Sequence, residues 1–204
     1  LTFGYNFVAA NRHLLTGKIR LLFWMKITII IAFISSLLIS YKLWLSERLY
    51  PLIPIFQDLP EISSPYDYGF FITILFLLLL IAKIPKPQKS IWGAIGVFVV
   101  LLVLDQSRLQ PWVIQYLFML GVLAIFSWDK YDTPGTQSTL TLLRIIVAFT
   151  YLYSGLQKIN LGFINGTMPW ILEPITNTIP AFTMFVPLLA VLAPFIQIFF
   201  AVGL

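Results

Sequence analysis

The chain has 204 residues, of which 59% are hydrophobic and only 10% charged, and its net charge is +5. Soluble domains carry about 25% charged residues, so this composition and a mean hydropathy of +0.92 indicate a polytopic membrane protein. The absence of cysteine excludes disulfides and thiolate metal sites, and a single histidine, His13, argues against a histidine-based metal centre. The basic residues flank apolar runs, which is not typical of a nucleic-acid-binding protein.

Six apolar segments predict an all-α, polytopic transmembrane helix bundle. Lipid cannot satisfy an open backbone, and a crossing needs about 20 residues, so each segment is predicted as a helix. The segments are Leu21–Trp44, Gly69–Ile84, Ile91–Leu104, Pro111–Trp128, Leu140–Gln157 and Ala181–Leu204. The second and third are short for a full crossing, so we expect them to extend into their flanks, to tilt little or to be partly re-entrant. We expect one transmembrane domain over residues 1–204, as a piece of a longer protein.

Lysine and arginine in the connections predict a cytoplasmic N-terminus. In that orientation the inner side holds Arg12, Lys18, Arg20, Lys26, Lys83, Lys86, Lys89, Lys130 and Arg144. The outer side holds Lys158 and six of the eight acids, namely Glu47, Asp58, Glu61, Asp67, Asp105 and Glu173. We therefore expect a bacterial inner-membrane protein whose Lys158 side is periplasmic. The connection 46–69 alternates apolar and acidic residues and is expected to form an ordered cap on the outer face.

The N-terminal residues 1–24 allow two interpretations. They fit an interfacial amphipathic helix with basic anchors. They equally fit the end of a preceding element.

A polar stripe runs along the fifth segment. Arg144, Tyr151, Ser154 and Lys158 recur at helical spacing and share one face. Ionisable groups inside a membrane are costly, so this face is expected to point into protein or into a water-filled cavity. The alternative is that the two cations extend to opposite interfaces while Tyr151 and Ser154 only pack.

Two further stretches lie on the same predicted side as Lys158. In "LDQSRLQPW", residues 104–112, Asp105 could meet Lys158 and make the pKa of that lysine tunable. The same stretch also fits a solvated turn with an ion pair and an interfacial tryptophan. In "GFINGTMPW", residues 162–170, Pro169 is expected to end regular structure, and Phe163 to lie in an interfacial or re-entrant turn over the pocket.

The stretch "YLYSGLQKINLGFINGTMPW", residues 151–170, resembles the signature of the vitamin K-dependent gamma-carboxylase-like family, also called the horizontally transferred transmembrane (HTTM) domain. The signature places are held by Tyr151, Ser154, Gly155, Lys158, Phe163 and Gly166. Upstream, "LLVLDQS" resembles the family's Leu-Asp turn at Leu104 and Asp105. The likeness is sharp over residues 101–174.

This resemblance implies that Lys158 is a catalytic group at an outer-facing site. There, oxidation of a reduced quinone would drive proton abstraction from a glutamate side chain, followed by CO2 addition. Trp112 stands where the carboxylase has its catalytic histidine, so full carboxylase chemistry is not expected. The chain is more similar to bacterial members without a clear carboxylase role. We expect a pocket for a quinone or lipid-like molecule, without metal, lined by Asp105, Trp112, Arg144, Tyr151, Ser154 and Phe163.

Two other functions stay open from the sequence. A non-catalytic subunit of a larger membrane complex, similar to quinone-associated subunits of the DoxX type, fits the missing histidine and the low polar content. A transporter has less support, because no inverted repeat is present, although Pro187 and Pro194 could break the sixth segment.

Overall fold

The computed structural model describes residues 17–48, 51–56, 58–60, 62–126, 128 and 133–204, excluding the side chains of 17–19 and 133–134. Within these ranges the chain is helical and contains no strand, so the all-α prediction is confirmed there. The predictions for residues 1–16, among them Arg12 and His13, lie outside the described residues, as do those for Glu61, Lys130 and the Lys18 side chain.

Eight α-helices follow one another along the described chain. They are α1 (Gly17–Ile39), α2 (Tyr41–Trp44), α3 (Tyr66–Lys83), α4 (Gln88–Leu104), α5 (Pro111–Ile125), α6 (Thr133–Gln157), α7 (Met168–Thr178) and α8 (Val186–Gly203). Short 3-10 turns cover Gln106–Arg108 and Pro180–Phe185, and a π-helical turn covers Phe163–Thr167. Each of the six apolar segments thus coincides with a helix, whereas α7 was not predicted.

Prolines explain two differences from the sequence predictions. Pro169 does not end regular structure, as expected, but lies in the first turn of α7. A proline is tolerated there because the missing N–H has no helical partner in that turn anyway. α8 likewise begins next to Pro187 and continues through Pro194 as one helix, so neither proline breaks it.

Four described stretches are long and apolar enough to cross a membrane: Arg20–Ile39, Tyr66–Lys83, Gly135–Gln157 and Pro180–Gly203. They are compatible with an integral membrane protein. The other two predicted crossings are shorter helices, α4 with 17 residues and α5 with 15. The second predicted segment is long enough to cross a membrane, because its helix begins at Tyr66 rather than Gly69. The fourth is too short, because α5 ends at Ile125 rather than Trp128. Six crossings and a cytoplasmic N-terminus stay predictions.

The chain divides into two compact units, residues 1–142 and 143–204. In the first unit α1 packs against α3 and α5, and α4 packs against the same two helices. These contacts close a ring of four helices around apolar side chains that are fully buried, including Phe33, Leu37, Ile74, Leu78, Phe98 and Leu120. The first unit is thus a four-helix bundle.

Polar contacts at one end of this bundle define its helix directions. Lys26, the tenth residue of α1, donates a 3.1 Å hydrogen bond to the carbonyl of Ile84, just after α3. Gln88, at the start of α4, donates to the carbonyl of Phe126, just after α5. Neighbouring helices therefore run in opposite directions, with the α1 start, the α3–α4 connection and the α5 end together.

Lys26 is buried inside that end of the bundle. Its side chain is 0% exposed, and Nζ lies 5.0 Å from the ring centroid of Phe23 and 5.3 Å from that of Trp128. The Ile84 carbonyl and the negative faces of the two rings stabilise the ammonium group. The sequence had assigned Lys26 only to the basic, inner side of the membrane.

Candidate functional site

The predicted polar stripe of α6 faces α8 within the second unit. The ring of Tyr151 packs edge-on against Phe200, at 4.9 Å between centroids. A Cβ on Gly155 would lie only 2.9 Å from the carbonyl oxygen of Pro194 and 2.7 Å from Cγ1 of Ile198. The absence of a side chain at Gly155 therefore allows the two helix backbones to approach closely, as small residues do between membrane helices.

Beside this close approach, four side chains form the Lys158 cluster, which consists of Ser154, Lys158, Phe163 and Gln197. Lys158 Nζ donates a 2.9 Å hydrogen bond to Oε1 of Gln197 and a 3.3 Å bond to Oγ of Ser154. It also lies 5.8 Å from the ring centroid of Phe163, which is 8% exposed. Lys158, Ser154 and Gln197 are half-buried, so the cluster is neither sealed nor fully solvated.

Asn160 places Phe163 next to Lys158. The Asn160 amide donates to the carbonyl of Gln157 at the end of α6, and its Oδ1 accepts a 2.7 Å bond from the N–H of Phe163. The Asn160 side chain thus bonds both to the end of α6 and to the first residue of the π-helical turn Phe163–Thr167. Such turns are rare and recur at functional sites because they redirect side chains out of the α-helical register.

Lys158 lies one residue beyond the candidate span Gly135–Gln157. Burial removes water from its ammonium group and therefore lowers the pKa of Lys158 below its usual value. The amide of Gln197 and the hydroxyl of Ser154 accept hydrogen bonds but carry no compensating charge. The cluster can therefore donate hydrogen bonds from Lys158 and exchange a proton more readily than an exposed lysine.

The structure brings together only part of the predicted stripe. Ser154, Lys158 and Phe163 meet in the cluster, and Tyr151 continues the same face toward Phe200. Arg144 is exposed and lies about 21 Å before Lys158 along the helix, at about 1.5 Å per residue. Arg144 is therefore not a neighbour of the Lys158 amine.

In the first unit, Asp105 forms a buried charge cluster with Arg48 and Arg108. The Asp105 side chain is 0% exposed, and its Oδ2 contacts both guanidinium groups. This oxygen lies 2.7 Å from Nη2 of Arg48 and 3.3 Å from Nε of Arg108. Oδ1 accepts bonds from the N–H and hydroxyl of Ser107 and from the N–H of Ile53. The solvated turn considered from the sequence does not form.

Ionised Asp105 is favoured by these partners. Burial alone would raise the pKa of its carboxyl, but the hydrogen bonds from Arg48 and Ser107 and the charge of Arg48 outweigh burial. The pKa of Asp105 therefore lies below its usual value. The predicted contact between Asp105 and Lys158 stays a prediction, since each is described with partners in its own unit.

The Asp105 cluster also holds the connection after α2. Arg48 donates to the hydroxyl of Ser107 and to the carbonyl of Leu43, while Arg108 donates to the carbonyls of Leu43, Trp44 and Leu101. Backbone bonds join Ile55 to Val103 and Gln106 to Ile53. These bonds order part of the connection, and its position as a cap on the outer face stays a prediction.

Trp112 belongs to an aromatic cluster in the same bundle. Its ring packs edge-on against Phe33, Trp44 and Tyr116, at 6.3 to 6.5 Å between centroids. Trp44 in turn lies 5.9 Å from the guanidinium carbon of Arg108. Trp112 therefore packs beside the Asp105 cluster, and its indole supplies no imidazole-like base.

Sequence reasoning missed Gln197 and the role of Arg48. Gln197 is a polar residue in the apolar run "PFIQIFF", which is a weak signal that it has a partner inside protein. Arg48 was not singled out as a site residue, and nothing in its local sequence points to Asp105. No protein-family model, curated protein or solved structure matches this chain.

Proposed function

We propose that this chain is an integral membrane protein of the HTTM, gamma-carboxylase-like kind that binds a quinone or lipid-like molecule at the Lys158 cluster. The apolar helices and the residues resembling the HTTM signature support the membrane setting and the site. Full carboxylase chemistry is not part of the proposal, because Trp112 packs among aromatic rings where the related enzyme has a histidine.

The observation that carries the proposal is the coordination of the Lys158 amine. An ammonium group has three N–H donors, and the second unit supplies two acceptors, on Gln197 and Ser154. Lys158 is half-buried, so a ligand can reach the remaining donor. The ring of Phe163 offers an apolar surface beside it. A carbonyl or hydroxyl oxygen on an otherwise apolar ligand fits this combination.

Replacing Lys158 with methionine is expected to reduce ligand retention strongly. Methionine keeps the apolar length of the side chain and removes the donors, so helix packing changes little. We expect quinone or lipid extracted from gently solubilised protein, measured by mass spectrometry, to fall at least tenfold in Lys158→Met, in line with about 1.5–3 kcal/mol for a hydrogen bond to a charged group.

The matched control is Lys89→Met, which removes an exposed lysine at the start of α4. Equal retention by wild type and Lys158→Met would contradict the proposed site. If wild type instead carries no such molecule and purifies at fixed stoichiometry with other polypeptides, the chain is a non-catalytic subunit of a membrane complex.

We also propose that the end of the bundle where α1 begins faces the cytoplasm and that the Lys158 side faces the periplasm. Exposed Lys42 and Glu47 lie at the opposite end, whereas the α1 end carries four exposed cations, Arg20, Lys83, Lys86 and Lys89. This asymmetry follows the positive-inside rule.

Single cysteines in the naturally cysteine-free chain test this orientation. In intact cells, a membrane-impermeant maleimide is expected to label Ser63→Cys, in the exposed connection before α3, but not Ser90→Cys, in the first turn of α4. Both should react after lysis, which serves as the control for exposure. The reverse pattern would contradict the proposed orientation.

A further inference from the structure

The Lys158 cluster contains a cation without an anion in its own unit. Within residues 143–204, all of which the structure describes, the only carboxylate side chain is Glu173. Glu173 is exposed on α7 and is not among the contacts of Lys158. The partners of Lys158 in this unit are an amide, a hydroxyl and an aromatic ring. A half-buried ammonium group with only neutral partners is left with uncompensated charge.

Lys26 and Arg108, two cations buried in the first unit, differ from Lys158 in exposure, and Arg108 also has an anion. Arg108 is 2% exposed and pairs with Asp105, whose carboxylate is also held by Arg48. Lys26 is fully buried, and it donates to a carbonyl at the end of α3 between two aromatic faces. Lys158 alone among these three is open enough for a ligand to reach it.

The helix beside the cluster offers an apolar surface. α7 packs against both the π-helical turn and α8. Ile171 and Ile175 are four residues apart on α7 and are 52% and 43% exposed, so they form one apolar stripe. Glu173 and Asn177 lie on the other side of this helix. An amphipathic helix of this kind, between two stretches that can cross a membrane, fits the lipid–water interface.

We propose that the group recognised by Lys158 is an oxyanion, a carboxylate or phosphate, carried by the ligand of the Lys158 cluster. This inference rests on the proposed function and narrows it from any quinone or lipid-like molecule to an acidic one. An oxyanion accepts the remaining N–H of Lys158 in a charge-assisted hydrogen bond and supplies the charge that the second unit lacks. The apolar stripe of α7 indicates that the oxyanion belongs to a membrane amphiphile.

Native mass spectrometry of the delipidated full chain tests the charge preference. The probes are phosphatidylglycerol, diacylglycerol (which has the same acyl chains but no phosphate) and ubiquinone, each added separately to wild type, Lys158→Met, Lys158→Arg and the control Lys89→Met. We expect wild type to prefer phosphatidylglycerol over diacylglycerol by about tenfold. Lys158→Arg and Lys89→Met should keep this preference, because both retain a cation in the cluster, and Lys158→Met should lose it.

Labelling of Lys158 in wild type with an amine-reactive reagent provides a second measurement that does not depend on the folding of any variant. Phosphatidylglycerol should slow labelling at Lys158 and leave Lys89 unchanged. Equal slowing by inorganic phosphate would support the oxyanion but assign it to a water-soluble ligand.

The outcomes separate this inference from the proposed function. If diacylglycerol or ubiquinone binds wild type as tightly as phosphatidylglycerol and is lost in Lys158→Met, the site stands and the oxyanion is overturned. If no probe responds to Lys158→Met or protects Lys158, both are overturned.

Discussion

Replacing Asp105 with asparagine is expected to lower the free energy of unfolding by about 3–5 kcal/mol, the usual cost of removing one partner from a buried charge cluster. Asparagine has nearly the same shape but no charge, so the guanidinium groups of Arg48 and Arg108 would lose their shared carboxylate. The effect is expected to be large because both the Asp105 and Arg108 side chains are almost fully excluded from solvent.

Equilibrium unfolding in mild detergent, followed by tryptophan fluorescence, measures this change. Asp58→Asn is the matched control, because Asp58 is an exposed carboxylate in the same connection that Arg48 helps to hold; its effect should stay within about 0.5 kcal/mol. A loss below about 1 kcal/mol in Asp105→Asn would mean that the cluster contributes little to stability.

The same cluster predicts a pH dependence with a defined sign. The folded pKa of Asp105 lies below its usual value of 3.8, so the unfolded chain binds a proton first as the pH falls. The stabilisation is therefore fully present above that usual value and is lost as the pH falls through it toward the folded pKa. The difference in stability between wild type and Asp105→Asn should shrink over this acidic range and stay constant near neutral pH.

Gly155→Ala is expected to destabilise the second unit by about 1–3 kcal/mol, the usual cost of overpacking a well-packed contact. The added methyl would lie 2.9 Å from a backbone oxygen, that of Pro194, as well as 2.7 Å from Cγ1 of Ile198. A side chain can move away, but a helix backbone cannot do so without shifting α8. Because Gln197 lies between these two residues on α8, the same shift should weaken its hydrogen bond to Lys158 and reduce ligand retention.

Thermal unfolding and ligand retention, measured on the same preparations, check both parts of this prediction. Gly121→Ala is the control: it also adds a methyl in a helix, but with no neighbouring atom within 4 Å, and it should be neutral or slightly stabilising. Adding Ile198→Ala to Gly155→Ala should recover only part of the stability, since the Pro194 contact remains. Full recovery would show that the backbone contact is unimportant.

The helices themselves could largely be predicted from the sequence, because apolar runs in this composition leave few alternatives to helical structure. Errors occurred where local signals were ambiguous. Pro169 was predicted to end regular structure but lies in the first turn of α7. A proline fits either position, because its missing N–H cannot continue a preceding helix and is not needed in the first turn of a new one. The polar start of α6, before Leu140, was missed because hydropathy does not report helices in polar segments.

The sequence could predict only which site residues share one face of a single helix. The spacing of Tyr151, Ser154 and Lys158 implied a shared face, and that face does contact protein. Which residue lies opposite cannot be read locally, since Gln197 is 39 positions away from Lys158. In the same way, Asp105 and Arg108 suggested an ion pair from their spacing, but Arg48 joins them across a long connection.

By itself, the sequence determined an apolar, largely helical chain, the approximate position of six apolar helices and the polar face that carries Lys158. These properties depend on composition and on residues a few positions apart, which helical geometry places without help from the rest of the chain. Only the tertiary structure decided that Lys26 and Arg108 are buried and that α8 approaches α6 closely at Gly155. It also decided that Gln197 and Ser154 accept hydrogen bonds from the amine of Lys158. The physical reason is that burial and pairing depend on which helices pack together, and that packing is set by side chains far apart in the sequence.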